Sequence, residues 1–297
     1  MMATSDNVMR DKARVRDTLY HDPAKLTARI ELQRRFSTNP VPITEWELGL
    51  VDLSCVQHAL DAGCGTGTFL LPLARQLAPH GATVIGLDLA EGTLGQARAR
   101  VAAEGVPVEC VIGDVEALPF ADGTFDLVLA NYMLYHAPDL ERAIAELRRV
   151  LRPGGTLLAA TNGEEHMREL WQLQEQALAR LGLARQVGAG LTARAEAAAA
   201  LSFRLDNGAE CLRRSFTDVR LERFPDVLRV TEAEPLVAYR NSMLSMVHML
   251  KDVVAMDHER ALLRARATES FRAVVQEHIA ADGAIHITKD TGVFVAR

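Results

Sequence analysis

The run Leu60-Asp61-Ala62-Gly63-Cys64-Gly65-Thr66-Gly67 places glycine at every second position behind an acid. Glycine lets the backbone turn tightly and lets a ligand approach the main chain. The spacing is G-x-G-x-G. A dinucleotide fingerprint has its third glycine one residue later, and here that position is Thr68. Asp61 would repel a pyrophosphate and attract a ligand carrying an ammonium and a sulfonium. Two further acids, Asp88 and Asp114, each close an apolar run. Asp88 stands where a carboxylate accepts bonds from both hydroxyls of a ribose, and Asp114 is placed to accept from an adenine amino group. The ligand expected from these acids is a cationic nucleoside without phosphate.

These residues need a scaffold that brings strand ends together. Apolar runs at Val56–Ala62, Ala82–Leu89, Val108–Gly113, Phe125–Ala130 and Thr156–Thr161 read as strands. Helical patterns lie between them at Thr68–Leu77, Glu91–Glu104 and from Leu140 onward, with Asp139 as N-cap and Gly105 as a helix stop. Such alternation implies a parallel sheet covered on both faces, with a ligand crevice at the carboxyl ends of the strands. Sheet patterning returns at Val219–Phe224 and Ile285–Val295, read as a late antiparallel edge. Asp11–Asp52, Glu164–Leu201, Glu232–Leu250 and Glu259–Ala281 read as mostly helical.

In order and spacing, LDAGCGTG, GLDLAEGTLGQAR, GDVEALPFADGTFDLV and RVLRPGGTLL resemble the successive motifs of class I S-adenosylmethionine-dependent methyltransferases. The resemblance covers Gln57 to Thr161 and favours the small-molecule branch, with its bacterial natural-product and quinone enzymes. It implies an α/β, Rossmann-like, seven-stranded, mostly parallel sheet whose last strand is antiparallel. It also implies a helical N-terminal lid (1–52) and a methyltransferase domain (53–297) with helical cap insertions near 164–217 and 232–281. The implied cofactor is S-adenosyl-L-methionine, released as S-adenosyl-L-homocysteine. Asp61, Ala62, Gly63, Cys64, Gly65 and Gly67 would hold its methionine end, Asp88 and Leu89 its ribose, Asp114 and Val115 its adenine, and Asn131 would lie beside them.

The acceptor would sit beyond the fourth strand, at Asn131-Tyr132-Met133-Leu134-Tyr135-His136. His136 is the expected proton acceptor, since its ordinary pKa lies near working pH. Tyr132, Tyr135, Trp171 and Phe36 are expected substrate contacts, and Met243, Met246 and Met249 further lining. Tyr20 and Arg29 are expected to reach the cofactor from the lid, Arg29 gripping its carboxylate. Asn131 is followed by no prolines, which counts against methylation of DNA adenine or glutamine. No metal-binding set is expected.

The 297 residues carry a net charge of −6 and 48% apolar side chains. That balance supports a buried core and lacks the basic face a phosphate backbone demands. Four cysteines without a C-x-x-C pair and no apolar run of about 20 residues lead to the expectation of a cytoplasmic protein outside the membrane, with a small-molecule partner, no nucleic acid and a possible homodimer. A peptide methyltransferase and a non-catalytic cofactor-binding protein are the alternative readings.

Overall fold

The computed structural model describes residues 23–183, 202–243 and 257–297. Tyr20, Met246 and Met249 lie outside this range. Helices α1 (Pro23–Phe36) and α2 (Ile43–Leu48) precede strand β1 (His58–Ala62). Then come α3 (Leu70–Leu77), β2 (Thr83–Asp88), α4 (Glu91–Glu104), β3 (Val108–Ile112), β4 (Phe125–Leu129), α5 (Leu140–Val150) and β5 (Leu151–Asn162). The remainder comprises α6 (Arg168–Arg180), α7 (Gly208–Arg213), β6 (Val219–Arg223), β7 (Val227–Val230), α8 (Ala233–Ser242), α9 (Asp257–Asp282), β8 (Ile285–Thr288) and β9 (Thr291–Ala296).

Seven strands form one sheet in the order β3-β2-β1-β4-β5-β9-β6. The first five run parallel, and β9 is antiparallel to both of its neighbours. This is the Rossmann-like sheet expected from the sequence. β4 is buried along its whole length, as a central parallel strand must be when helices cover both faces. Asp126 fastens the start of β1, taking the backbone N–H groups of Gln57 and His58 at 2.7 and 2.8 Å.

Three local expectations are corrected. The fifth strand begins at Leu151, and the Pro153-Gly154-Gly155 turn is absorbed as an irregularity where the β4–β5 register shifts. The pattern Ile285–Val295 is two strands in two sheets. β9 enters the large sheet, while β8 pairs antiparallel with β7, an element the sequence did not suggest. The break falls at a polar pair. Lys289 reaches the buried Asp226 at 2.9 Å, and Asp290 pairs with Arg223 at 2.5 Å. These bonds divert the chain between two apolar halves.

One apolar core fills each face of the large sheet. A third joins Leu32 and Phe36 of α1 to Trp171 of α6, Leu228 of β7, Leu236 of α8, Phe271 of α9 and Ile287 of β8. The N-terminal helix and the two insertions thus share one core. Phe36 and Trp171 are buried in it, which corrects their expected place on the substrate site: their apolar surface packs the layer over the site.

Asp139 caps α5, its side chain accepting the Arg142 N–H at 3.0 Å. Asp139→Ala is expected to lower folding stability by about 1 kcal/mol, read as a reduced urea midpoint at unchanged slope.

Candidate active site

The three acids lie at the ends of β1, β2 and β3, side by side because the strands are parallel and in register. Between the sheet's carboxyl edge and α1 opens a cavity of about 760 Å³. Its wall includes Gly63, Cys64, Gly65, Asp88, Leu89, Asp114, Val115, Asn131, Tyr132, Tyr135 and His136, all singled out in the sequence, and Arg29 from α1.

The glycine loop is built as its spacing requires. Gly63, Gly65 and Gly67 all have left-handed backbones, with φ of 77°, 54° and 82°. The N–H groups of Gly63 and Cys64 both donate to Leu87 O, at 2.7 and 2.9 Å, folding the loop back over β2. A Cβ at Gly65 would find only Leu26 at 3.5 Å, so this glycine leaves its cradle open. The Cys64 thiol is buried and burial pushes its pKa up, which suits a space-filler beneath the loop.

Asp88 holds that loop in place. One carboxylate oxygen accepts the Gly65 N–H at 2.8 Å, and the other accepts the Ala90 N–H at 2.8 Å. A carboxylate has about four acceptor positions, so both oxygens can also take ribose hydroxyls. Burial raises its pKa, opposed by these bonds. Asp61, Ala62 and Gly67, expected at the cofactor's methionine end, are not among the residues that line the cavity. Asp61 is buried, and its Oδ2 has no hydrogen-bond partner. Burial, and then the Asp88 charge, push its pKa up to about 8.

Sequence reasoning missed Glu47. This residue of α2 is fully buried, and burial pushes its pKa up to about 8, the Asp61 charge adding to the rise. The Asn131 amide donates to Glu47 Oε2 at 2.9 Å and accepts the Ala160 N–H at 2.9 Å, while Glu47 Oε1 has no partner. Asn131 thereby ties the N-terminal segment to the ends of β4 and β5. Its amide is committed to those bonds.

The cavity has two ends. On the β3 side, Asp139 N–H bonds to Glu116 at 2.9 Å, drawing the run after β4 toward Asp114. His136 stands on that run, its ring against Tyr135 at 4.5 Å between centroids. On the β5 side lie Tyr132, Asn162, His166, Tyr239, Lys289 and Thr291. Tyr132 takes a left-handed backbone at φ 55°, which costs a non-glycine residue about 1 kcal/mol or more. Burial pushes its phenol above the ordinary range, as it does that of Tyr239. His166 went unnoticed because it lies in a loop with no periodic pattern. Arg29 lines the cavity, donating to the Ser242 hydroxyl at 3.1 Å and to its carbonyl at 2.8 Å.

The donor set suits a cationic nucleoside. Two buried carboxylates, Asp61 and Glu47, each hold an unsatisfied oxygen, while Arg29, Arg34, Arg100 and Lys289 also line the cavity, Arg100 donating to Thr66 O of the glycine loop at 2.7 Å. Among the described residues no group of three or more His, Cys, Asp or Glu can hold a metal, and no helix is long and apolar enough to cross a membrane.

Residues 60–159 match the family described as Methyltransferase domain. The chain is 40% identical over 119 residues to a malonyl-acyl-carrier-protein O-methyltransferase of Serratia marcescens, covering 39% of this chain and 44% of that protein. It is 41% identical over 103 residues to a demethylmenaquinone methyltransferase of Symbiobacterium thermophilum, covering 34% and 41%. The chain spans less than half the length of these curated relatives. Among solved structures, a phosphoethanolamine N-methyltransferase 2 of Haemonchus contortus aligns over 97% of this chain and 60% of its own, with a TM-score of 0.52 and 20% identity. The 4+2 cyclase SpnF aligns over 96% of both chains, with a TM-score of 0.52 and 17% identity. Both show the fold.

Proposed function

We propose, from the match of residues 60–159 to a methyltransferase domain and the class I S-adenosylmethionine-dependent motifs they carry, that this protein transfers the cofactor's methyl group to a small-molecule acceptor. The observation that carries the reading is the single cavity joining the glycine loop and strand-end acids to the tyrosines and histidine beside β5. Its volume falls within the roughly 300–1,000 Å³ of sites that enclose small ligands. The relatives' names attach methyl transfer to the matched segment, which supports the reading. A neighbour named as a cyclase shows why fold alone would not.

S-adenosylmethionine supplies an activated methyl on a sulfonium. In this proposal Asp61, with Glu47 behind it, offers negative charge to the methionine end. Gly63 and Gly65 admit that end to the backbone. Asp88 accepts from the ribose, with Leu89 beside it, and Asp114 from the adenine, with Val115 against the base. Arg29 takes the cofactor carboxylate. The helices over the sheet exclude water and hold the acceptor in line, which is the main demand of a displacement at an activated carbon. A proton leaving the acceptor has two imidazoles within the cavity, His136 and His166.

The test is incubation with deuteromethyl-labelled S-adenosylmethionine and a small-molecule metabolite extract, followed by mass spectrometry. A small molecule should gain one labelled methyl. Cofactor binding without any labelled product would instead favour a non-catalytic binding protein.

A further inference from the structure

We propose that Asp61 and Glu47 are specificity-determining residues: as a buried acid cluster beside the site they favour the sulfonium form of the cofactor over its demethylated product, and do so more strongly as pH rises. The proposal rests on the methyltransferase reading above.

The cluster draws on separate elements. Asp61, in β1, is 1% exposed and stands two residues before Gly63 of the cavity wall. Glu47, in α2, is fully buried and accepts from the amide of Asn131, which is also on the wall. Asp88 ends β2 on the wall itself, its oxygens taking the Gly65 and Ala90 N–H groups. Asp61 Oδ2 and Glu47 Oε1 each have no hydrogen-bond partner among the described residues. The acids act on one another, Asp88 on Asp61 and Asp61 on Glu47.

The cations of the same cavity are bonded elsewhere. Arg34 pairs with Glu31 and Lys289 with Asp226, while Arg29 donates to Ser242 and Arg100 to Thr66 O. The other titratable groups against the cluster are the Cys64 thiol, acted on by Asp61, and the Tyr132 phenol, acted on by Glu47. Burial raises both, so both are neutral at working pH. From α3, the Leu70 N–H gives Asp61 a single bond. Buried carboxylates without an opposite charge favour the protonated form. Both acids accordingly have pKa values raised to about 8, burial first and the neighbouring acid after it. The free protein therefore holds protons on both at neutral pH.

A cationic ligand shifts that balance without touching either acid, because charge acts across a low-dielectric interior. S-adenosylmethionine brings an ammonium and a sulfonium. S-adenosylhomocysteine brings the ammonium alone, its sulfur being a neutral thioether. The ammonium cancels in the comparison, and the sulfonium is the difference. It stabilises one further ionised carboxylate, so the donor complex holds fewer protons than the product complex. Linkage sets the sign: the complex with fewer protons is favoured as pH rises. Once the methyl has left, the sulfonium charge is gone and the cluster takes a proton back. The next sulfonium then competes well against the bound thioether.

The test is calorimetric titration of the full chain at about pH 6, 7 and 8, in buffers of different ionisation enthalpy. The ligands are S-adenosylmethionine, S-adenosylhomocysteine and sinefungin, in which a carbon bearing an amine replaces the sulfonium. S-adenosylmethionine and sinefungin should each release more protons than S-adenosylhomocysteine, by up to about one. The preference for S-adenosylmethionine over S-adenosylhomocysteine should grow by up to about tenfold per pH unit across this range. Asp61→Asn and Glu47→Gln, neutral side chains of similar shape, should each flatten that growth. The wild-type series decides alone if neither variant folds. Equal proton release by the two cofactor forms with a preference constant in pH, sinefungin following S-adenosylhomocysteine, or wild-type pH dependence in both variants overturns the proposal and leaves the methyltransferase reading intact. Failure of both cofactor forms to bind overturns both.

Discussion

Asp88→Ala is expected to weaken S-adenosylmethionine binding by about a hundredfold. Asp88 does two things at once. Its oxygens accept the Gly65 and Ala90 N–H groups, which pins the glycine loop to the start of α4. In the proposed complex they also accept the ribose hydroxyls. Removing the carboxylate frees the loop and deletes the ribose acceptors. Two charge-assisted bonds lost at about 1.5 kcal/mol each give the stated factor. Calorimetric titration reads it directly, and wild-type affinity in Asp88→Ala would remove the ribose assignment.

The second large effect is pH dependence. Asp61 and Glu47 both have pKa values raised to about 8, burial being the first cause of each. The sign follows from which state holds the proton. An acid whose pKa is higher in the folded protein favours folding below its unfolded pKa. That stability is lost as pH rises from about 4 toward 8. The free protein should therefore lose stability across this window, and Asp61→Asn should flatten the slope of urea midpoint against pH. Binding behaves oppositely. A cationic ligand favours the ionised pair, so binding expels protons and S-adenosylmethionine affinity should rise with pH. If one proton must leave, the dissociation constant increases by up to about tenfold per pH unit below 8. Calorimetry at pH 7 in buffers of different ionisation enthalpy counts that proton. A binding enthalpy independent of buffer, with affinity flat between about pH 6 and 8, would separate the buried pair from the cofactor.

The sheet and the strand-end acids were legible in the sequence because local pattern decides them. An apolar run closed by glycine or acid is a parallel strand whose last residue faces the crevice, as Asp88 and Asp114 do. Other residues are placed by contacts remote along the chain. Glu45 and Glu47 belong to the same short helix, yet one is exposed and the other fully buried. Only the partner Asn131, 84 positions away, explains the difference. Phe36 and Trp171 are aromatic residues on helices that flank the site. Periodicity shows that such a residue lies on an apolar face, without showing whether a ligand or another helix covers that face. The break between β8 and β9 is fixed by Lys289 meeting Asp226, 63 positions earlier. His166 had no signal at all: a lone histidine in a loop has no periodic pattern to mark it as part of a cavity wall.

The central claim is that this cavity holds a cationic nucleoside without phosphate. Calorimetric titration of the full chain at about pH 8, where the buried acids begin to ionise, tests it with S-adenosylmethionine, S-adenosylhomocysteine and NAD in parallel. One equivalent of each S-adenosyl compound should bind, and NAD should not. Binding of NAD, or of neither S-adenosyl compound, would contradict the account.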